Sequence, residues 1–387
     1  MGVLLPALEG LEPAFLVGGA VRDLLLGARA VDLDVAVEGD APALASTVAD
    51  RLGGEAVVHD RFGTATMRAG NLSVDFASTR SETYEAPGAL PAVEPAGLDE
   101  DLGRRDFTVN AMAVALTGEE AGELRDPHHG VRDLEGGAVR VLHDQSFKDD
   151  PTRLLRALRY EARLGFALDP ETERLAREGA AGLGAVSGAR VRDELLDLLG
   201  EHEAPAAVDR LRDLGLAARL HSKLRPDGDL VAAAQLGSAE TGADPVLSAL
   251  AALVCDGAAD LVERLGLPAA RRDRVVRAAE RGRPLAAELS RPRRPSELHA
   301  LLAPEPPEAL ALALAFGASG EVVLTFVSVL RDAHLDIAGD DLLAEGVPES
   351  PAVGAALAET LRLKLDGDIS TRDEQLRTAV ALARKAR

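Results

Sequence analysis

A strand-turn-helix signal near the start of the sequence constrains the fold more than any other feature. The segment Leu16–Val37 reads LVGGAVRDLLLGARAVDLDVAV, in which an apolar run enters Gly18-Gly19 and a short helix then carries Arg22. Glycine lacks a Cβ, so its backbone can approach a phosphate closely, and the first turn of a helix offers free N–H groups. The pattern predicts a triphosphate-binding turn, and the alternative is a plain turn.

The same segment ends in a pair of carboxylates. Asp32 and Asp34 alternate with Leu33 and Val35, and residues two apart on a strand point to the same face of a sheet. Together they could hold divalent cations, whereas the alternative is the polar edge of a strand. Asp75, between Val74 and Phe76, offers a third strand carboxylate.

Composition narrows the class of protein. The 387 residues are 47% hydrophobic and include one cysteine, which excludes wholesale disorder, a disulfide framework and a cysteine-based zinc site. The N-terminus lacks the basic start of a signal peptide, and no apolar run reaches membrane-spanning length. We therefore expect a soluble cytoplasmic protein with no membrane partner.

The net charge of −21 argues against indiscriminate binding of nucleic acid, because phosphate contacts need local Lys or Arg. Residues 1–150 hold 12 Lys and Arg against 27 Asp and Glu. The most basic stretch is Arg271–Arg294, with nine arginines against three acids. It is a candidate RNA contact, and the alternative is an ordinary solvated helix face followed by an Arg/Pro linker.

The hydrophobic pattern changes along the chain. The first part predicts a small mixed sheet with an antiparallel hairpin; its strands are Ala14–Gly18, Asp32–Val37, Ala56–His59, Thr64–Arg68 and Leu72–Ala77, and its helices are Ala20–Leu26 and Ala41–Leu52. Ser81–Gly103 shows no periodicity and predicts a long irregular loop, either a catalytic flap or a passive insertion. From Asp150 onward the pattern is helical, so the fold class is α+β.

Two further clusters can bind a nucleotide. Arg105 and Asp106 combine a guanidinium, which suits phosphate, with a carboxylate, which suits a hydroxyl. Asp150, Arg153 and Arg156 would share one side of a helix, where Asp150 accepts from a base and Arg153 donates to it. The alternatives are a surface ion pair for the first cluster, and for the second a helix cap followed by solvated arginines.

Five segments taken in order resemble the class II tRNA nucleotidyltransferase and bacterial poly(A) polymerase family, within the polymerase-β-type nucleotidyltransferases. They are LVGGAVRD with DLDV, RRDFTVNAMA, DPHHGVRDL, DDPTRLLRALRYEARLGF and SGARVRDELLDLL, and they span about half of the chain. Asp149 stands where the family commonly has glutamate. Beyond residue 200 the resemblance extends only to an all-helical body and tail.

The resemblance implies a role for each matching residue. Asp32 and Asp34 correspond to the catalytic metal ligands, with Mg²⁺ as the cofactor. The remaining matches bind the incoming nucleotide: Gly18, Gly19, Arg22 and Arg156 on the triphosphate side, Arg105 and Asp106 at the ribose and phosphates, and Asp150 and Arg153 as the amino-acid template that selects CTP or ATP. Arg190 and Glu194 correspond to a neck motif that supports the template helix.

The resemblance also implies an architecture and a reaction. We expect a nucleotidyltransferase head at residues 1–145, a neck at 146–204, a body at 205–290 and a tRNA-binding tail at 291–387. The expected activity is addition of CCA, or part of it, to tRNA from CTP and ATP with release of pyrophosphate. The alternatives are a CC-adding or A-adding enzyme, a poly(A) polymerase, a small-molecule nucleotidyltransferase and an inactive RNA-binding module.

Overall fold

A computed structural model describes residues 2–28, 32–59, 63–85, 88–257 and 259–386. The chain forms two compact units, residues 1–222 and 223–387. No helix among the described residues is both long enough and apolar enough to span a membrane.

Eleven strands lie in the described part of the first unit. They are β1 (Ala14–Val17), β2 (Asp34–Val37), β3 (Glu55–His59), β4 (Thr64–Ala69), β5 (Leu72–Ser78), β6 (Arg80–Thr83), β7 (Ala92–Pro95), β8 (Ala113–Ala115), β9 (Leu124–Arg125), β10 (Ala138–Val139) and β11 (Ala167–Leu168). Seven of them form one sheet in the order β3-β4-β5-β2-β1-β8-β9. Within this sheet only β2 and β5 pair in parallel, so the predictions of a mixed sheet and of an antiparallel hairpin from β4 to β5 are confirmed.

The first unit also contains helices, which alternate with the strands of this sheet and then make up most of its C-terminal part. They are α1 (Leu4–Leu8), α2 (Gly19–Leu25), α3 (Ala41–Leu52), α4 (Leu98–Gly103), α5 (Gly130–Gly136), α6 (Ser146–Asp149), α7 (Arg153–Leu164), α8 (Pro170–Gly179), α9 (Gly188–Leu199), α10 (Ala204–Asp213) and α11 (Ala217–Leu220). The helix predicted at Ala41–Leu52 is confirmed as α3. Its Asp40 side chain accepts a hydrogen bond from the Ala43 N–H, and Gly53 ends it with a left-handed φ of 66°, as expected for an N-cap and a C-terminal glycine.

One face of the sheet carries the core of this unit. Side chains that alternate along the strands, such as Val35, Val74 and Phe76, are buried with α1 and α3. Residues on the other face include Asp34 and Asp75, which remain accessible. Period-two alternation therefore separates this packing face from the face of Asp34 and Asp75, here called the open face. Leu98 and Leu102 of α4 cover part of the open face.

The second strand is shorter than predicted. β2 begins at Asp34, so the prediction that Asp32 lies on this strand is wrong. β1 pairs with β2 only as far as Leu16 and Val35, because Gly18 adopts a φ of 66° and turns the chain into α2. Asp32 therefore has no partner in β1 and lies just before β2.

The segment Ser81–Gly103 is also more regular than predicted. β6 and β7 form an antiparallel pair and α4 follows them, while residues 86 and 87 lie outside the described residues. Every residue of β7 is exposed. Without a buried face there is no hydrophobic alternation to detect, so the prediction of an irregular loop is wrong for these elements.

The described part of the second unit is entirely helical. Its helices are α12 (Gly228–Thr241), α13 (Pro245–Val254), α14 (Asp260–Leu265), α15 (Ala269–Leu289), α16 (Pro295–Leu302), α17 (Pro307–Ala315), α18 (Gly320–Thr325), α19 (Gly339–Ala344), α20 (Pro351–Leu365) and α21 (Arg372–Lys385). The predicted linker Arg291–Pro295 connects α15 to α16 within this one unit.

Arginines of α15 are bound to glutamates of the same unit. Arg274 donates to Glu308, which is 0% exposed, and Arg277 and Arg281 both donate to Glu305, which is 9% exposed. These guanidiniums neutralise carboxylates that would otherwise be buried without a counter-charge. Arg274 and Arg277 therefore have a structural role in this unit, and the RNA contact expected on this stretch stays a prediction.

Candidate active site

One cleft in the first unit gathers every residue that the sequence singled out for catalysis and nucleotide binding. Its volume is about 580 Å³, within the range of small-molecule sites. The predicted residues that line it are Gly18, Gly19, Arg22, Asp32, Asp34, Arg105, Asp106, Asp150, Arg153 and Arg156, together with Arg190 and Glu194. Residues up to 176 positions apart in the sequence thus meet at one site.

The glycine turn at the start of α2 is required by two features. Gly18 has a φ of 66°, and a Cβ built on it would lie 2.9 Å from Nη1 of Arg105. Any larger residue would therefore be strained and would displace the guanidinium. Gly18 consequently allows Arg105 to lie directly against the turn.

The carboxylate pair lies in the cleft and is exposed to solvent. No described residue donates a hydrogen bond to the carboxylate of Asp32 or Asp34, and none forms an ion pair with either. The pKa of Asp34 is raised, first by partial loss of hydration and then by the negative charges of Asp75 and Asp32, which outweigh the positive charge of Arg105. The site therefore carries uncompensated negative charge suited to a cation.

Asp75 lies beside this pair on the adjacent strand. It is opposite Asp34 in the parallel register of β2 and β5, and its carboxylate accepts a hydrogen bond from the Thr66 hydroxyl at 2.6 Å. No three metal-ligating side chains converge among the described residues. The donor set is thus two carboxylates, which fits Mg²⁺ because that ion commonly takes one or two carboxylates and completes its shell with substrate phosphates and water.

Asp106 and Arg156 bind one another. Nε and Nη2 of Arg156 donate to Oδ2 of Asp106 at 2.9 and 2.5 Å, and the Asn110 amide and the Phe107 N–H donate to Oδ1. Burial alone would raise the pKa of Asp106, but the charge of Arg156 and these hydrogen bonds hold it below its usual range. Nη1 of Arg156 also donates to Glu194 at 3.2 Å, so this network joins α7 to α9.

Asp150 and Arg153 do not lie on one helix as predicted. α7 begins at Arg153, and Asp150 precedes it in an extended conformation. Oδ1 of Asp150 accepts from the N–H and hydroxyl of Thr152 and from Nη2 of Arg190 at 2.7 to 3.0 Å. The helical spacing fails because Pro151 intervenes and Thr152 is the N-cap residue, yet both side chains still line the cleft.

Arg153 carries an unused donor. Its side chain is buried, and Nη2 donates to the backbone carbonyl of Arg104 at 2.7 Å. Nη1 is buried and has no hydrogen-bond partner among the described residues. A buried guanidinium N–H without an acceptor is costly, so its position in the cleft points to an acceptor supplied by a ligand.

Two tyrosines of the cleft were missed by sequence reasoning. Tyr84 follows β6 and donates to Glu82 at 3.0 Å, and burial together with the charge of Glu82 raises its pKa to about 12. The Tyr160 ring lies 5.4 Å from Cζ of Arg22 and 5.8 Å from Cζ of Arg156. They are the two tyrosines of the whole sequence, and that scarcity was the available signal.

Comparisons with known proteins identify the family of the chain. Residues 14–140 match the family described as the poly A polymerase head domain, and residues 165–226 match the one described as the probable RNA and SrmB-binding site of polymerase A. An A-adding tRNA nucleotidyltransferase of Geobacter sulfurreducens is 37% identical over 97% of this chain and 46% of its own length. This chain therefore spans about half of that relative.

Two further proteins match over most of both chains. A CC-adding tRNA nucleotidyltransferase of Deinococcus radiodurans is 35% identical over 94% of this chain and 88% of its own length. The solved structure of the Thermotoga maritima CCA-adding enzyme complexed with tRNA is 29% identical, with a TM-score of 0.76 over 95% of this chain and 91% of that one. The chain belongs to the family of tRNA nucleotidyltransferases and poly(A) polymerases.

Proposed function

We propose that this protein is a template-independent tRNA nucleotidyltransferase that adds CCA, or part of it, to tRNA 3′ ends from CTP and ATP. The observation that carries the proposal is that the unpaired carboxylates of Asp32 and Asp34 and the unused donor of Arg153 line one cleft. The carboxylates can hold a catalytic cation, and the Arg153 donor can form a hydrogen bond with a base. The names of the A-adding and CC-adding relatives support the same reaction class.

The proposed roles are those that the family resemblance implies for residues that line the cleft. Gly18, Gly19 and Arg22 face the triphosphate, and Arg105 and Asp106 face the ribose and phosphates. Asp150 and Arg153 select the base. Arg156, held by Asp106 and Glu194, keeps a positive charge near the triphosphate.

Enzymes of this family use divalent metal ions, and we propose Mg²⁺ held by Asp32 and Asp34. When bound, such a cation lowers the pKa of the attacking hydroxyl and neutralises charge on the leaving group. The two aspartates supply only carboxylate oxygens, the donors that this hard cation prefers.

The proposed reaction balances as a phosphoryl transfer. The 3′-hydroxyl oxygen of the tRNA forms a bond to the α-phosphorus of CTP or ATP, and the hydroxyl proton passes to water. The bond from that phosphorus to the oxygen bridging to the β-phosphate breaks, and pyrophosphate leaves with the electron pair. Arg105 donates toward the phosphates, and Arg22, whose guanidinium is bound to Asp23 and Asn110, adds positive charge on the triphosphate side; both stabilise the developing charge.

The remaining helices are proposed to hold the tRNA. We divide the chain into a head at residues 1–145, a neck at 146–204, a body at 205–290 and a tail at 291–387 that contacts tRNA. We also place the enzyme in the cytoplasm, in keeping with its single cysteine and its proposed substrate.

A substrate matrix tests the proposal. Purified protein is given tRNAs that end at the discriminator base, at C or at CC, with each of the four nucleoside triphosphates alone and with CTP and ATP together. Growth of the first tRNA by three nucleotides identifies full CCA addition, and growth limited to two cytidines or to one adenosine identifies a partial enzyme. Long adenosine tails would indicate a poly(A) polymerase, and no growth of any tRNA would overturn the proposal.

A further inference from the structure

We propose that the open face of the sheet, beyond Asp34, is the subsite for the 3′-terminal ribonucleoside of the acceptor RNA, and that Thr66 accepts a hydrogen bond from its 2′-hydroxyl. This inference rests on the proposed function and names where its second substrate is held. A transferase must hold both substrates, and the roles proposed for the nucleotide cleft concern the nucleotide alone.

The register of the strands places a row of small and polar residues on this face. Asp34 of β2 lies opposite Asp75 of β5, and Asp75 lies opposite Thr66 of β4. Two residues further along β5, Ala77 pairs with Ala36 of β2 on one side and with Thr64 of β4 on the other. Because alanine side chains are short, they leave space above the sheet, and a cavity of about 400 Å³ lies there.

The cavity adjoins the nucleotide cleft at the catalytic carboxylate. Asp34, Arg104 and Arg105 line both spaces. In nucleotidyl transfer the attacking and leaving oxygens lie roughly in line across the phosphorus, so the acceptor must approach from the side opposite the pyrophosphate. A second cavity that shares Asp34 with the first is suitably located for that approach.

The lining fits a nucleoside. Ala77 is partly exposed beside the nearly buried Ala36, and this small apolar floor suits the face of a sugar or base. Arg104 and Arg105 form part of the wall, and both guanidiniums are bound to Asp101. Their charge is therefore partly neutralised, which suits an uncharged terminal nucleoside better than a second triphosphate.

Thr66 gives the subsite a means of recognising RNA. Its hydroxyl proton is donated to Asp75 at 2.6 Å, so its oxygen is left as an acceptor. Nε2 of His59 lies 3.5 Å away, at the limit of hydrogen bonding, and a hydroxyl oxygen has two lone pairs. One lone pair remains for a donor, and the 2′-hydroxyl is the group that distinguishes RNA from DNA.

The test compares acceptor tRNAs whose last nucleotide is either a ribonucleotide or its 2′-deoxy analogue, both with a free 3′-hydroxyl. We expect the wild-type enzyme to prefer the ribonucleotide by about tenfold in kcat/KM, the effect of one hydrogen bond. Thr66→Val, which keeps the shape and removes the acceptor, should abolish the preference and leave the KM for CTP and ATP unchanged. Thr66→Ser should restore the preference.

Two more variants separate this role from a structural one. Ser73→Ala changes an exposed residue of β5 on the same face but outside the cavity and should keep the preference. Ala77→Leu fills the floor of the cavity and should raise the KM for tRNA at least tenfold, without raising the KM for CTP; this variant carries the test if Thr66→Val does not fold. A wild-type enzyme that transfers nucleotides with no ribose preference, or an unchanged preference in Thr66→Val, would overturn the subsite alone, whereas the absence of any transfer would overturn the proposed function as well.

Discussion

At the scale of single residues, the proposed selection of the base rests on Arg153 and Asp150. Cytosine and adenine each present an exocyclic amine beside a ring-nitrogen acceptor, whereas uracil and guanine present a carbonyl beside a ring N–H. With the wrong bases a carboxylate would face an acceptor and a guanidinium a donor. Unpaired groups of this kind cost on the order of 1–3 kcal/mol each, which over two contacts gives about a hundredfold discrimination or better.

Replacement of Arg153 should therefore weaken selection. We predict that Arg153→Ala lowers kcat/KM for CTP and ATP and brings UTP and GTP closer to them, because the unused Nη1 donor is removed. Incorporation of all four nucleotides measures the effect. Asp150→Asn is the companion variant, since it retains the oxygen that accepts from Thr152 but adds an amide donor. If Asp150 only stabilises this turn, Asp150→Asn will leave the choice of nucleotide unchanged. That result would contradict the prediction that Asp150 and Arg153 together select the base.

Asp106 gives a pH-dependent prediction at the same scale. Its pKa in the folded chain is lowered, whereas an unfolded aspartate titrates near pH 3.9, to within about one unit. Its stabilising effect is therefore fully present above about pH 5 and is lost as the pH falls through the lowered folded value. We predict that amide exchange in α7 is faster in Asp106→Asn than in wild type at neutral pH, and that the difference shrinks below about pH 4. A difference that does not change with pH would contradict the ionised pair.

At the scale of elements, sequence periodicity predicted most of the strands and helices that have a buried face. The strands from Ala14 to Ser78 were predicted to within one residue, except that β2 begins two residues later. Most of them alternate between buried and exposed side chains, whereas β3 has no buried residue. β7 has no buried residue and β9 has two residues, so neither leaves a pattern to detect. The partners of Asp106 were also out of reach, since Arg156 lies 50 residues away and only the folded chain brings them together.

α15 provides the prediction at this scale. Arg274→Ala leaves the fully buried Glu308 with the Asp244 N–H as its one remaining donor among the described residues, and removal of one partner of a buried pair costs roughly 3 kcal/mol or more. The partial exposure of Arg274 places the expected loss in the free energy of unfolding at the lower end of that range. Arg271→Ala, at an exposed residue of the same helix, should change it by less than about 0.5 kcal/mol. Chemical denaturation compares the two, and equal losses would contradict the structural role of the ion pair.

At the scale of the whole molecule, the five segments predicted the family because they occur together and in order, although each alone is weak. The net charge of −21 could not show where RNA binds, since it does not reveal which arginines are already paired. Arg274 and Arg277 looked available in the sequence and are bound to buried glutamates in the folded unit. Pairing of this kind depends on tertiary structure, which local sequence patterns do not encode.

The central claim is that one cleft, with Asp32 and Asp34 at its centre, transfers nucleotides to tRNA. The most direct measurement follows radiolabel from the α-phosphate of CTP and ATP into tRNAs that lack their last nucleotides, for the wild type, Asp32→Asn and Asp34→Asn, with tRNA affinity measured in parallel. We predict transfer by the wild type, a loss of about a hundredfold to a thousandfold or more in each variant, and unchanged tRNA affinity. Retained transfer in the variants, or loss of tRNA binding to the same degree as activity, would contradict the account.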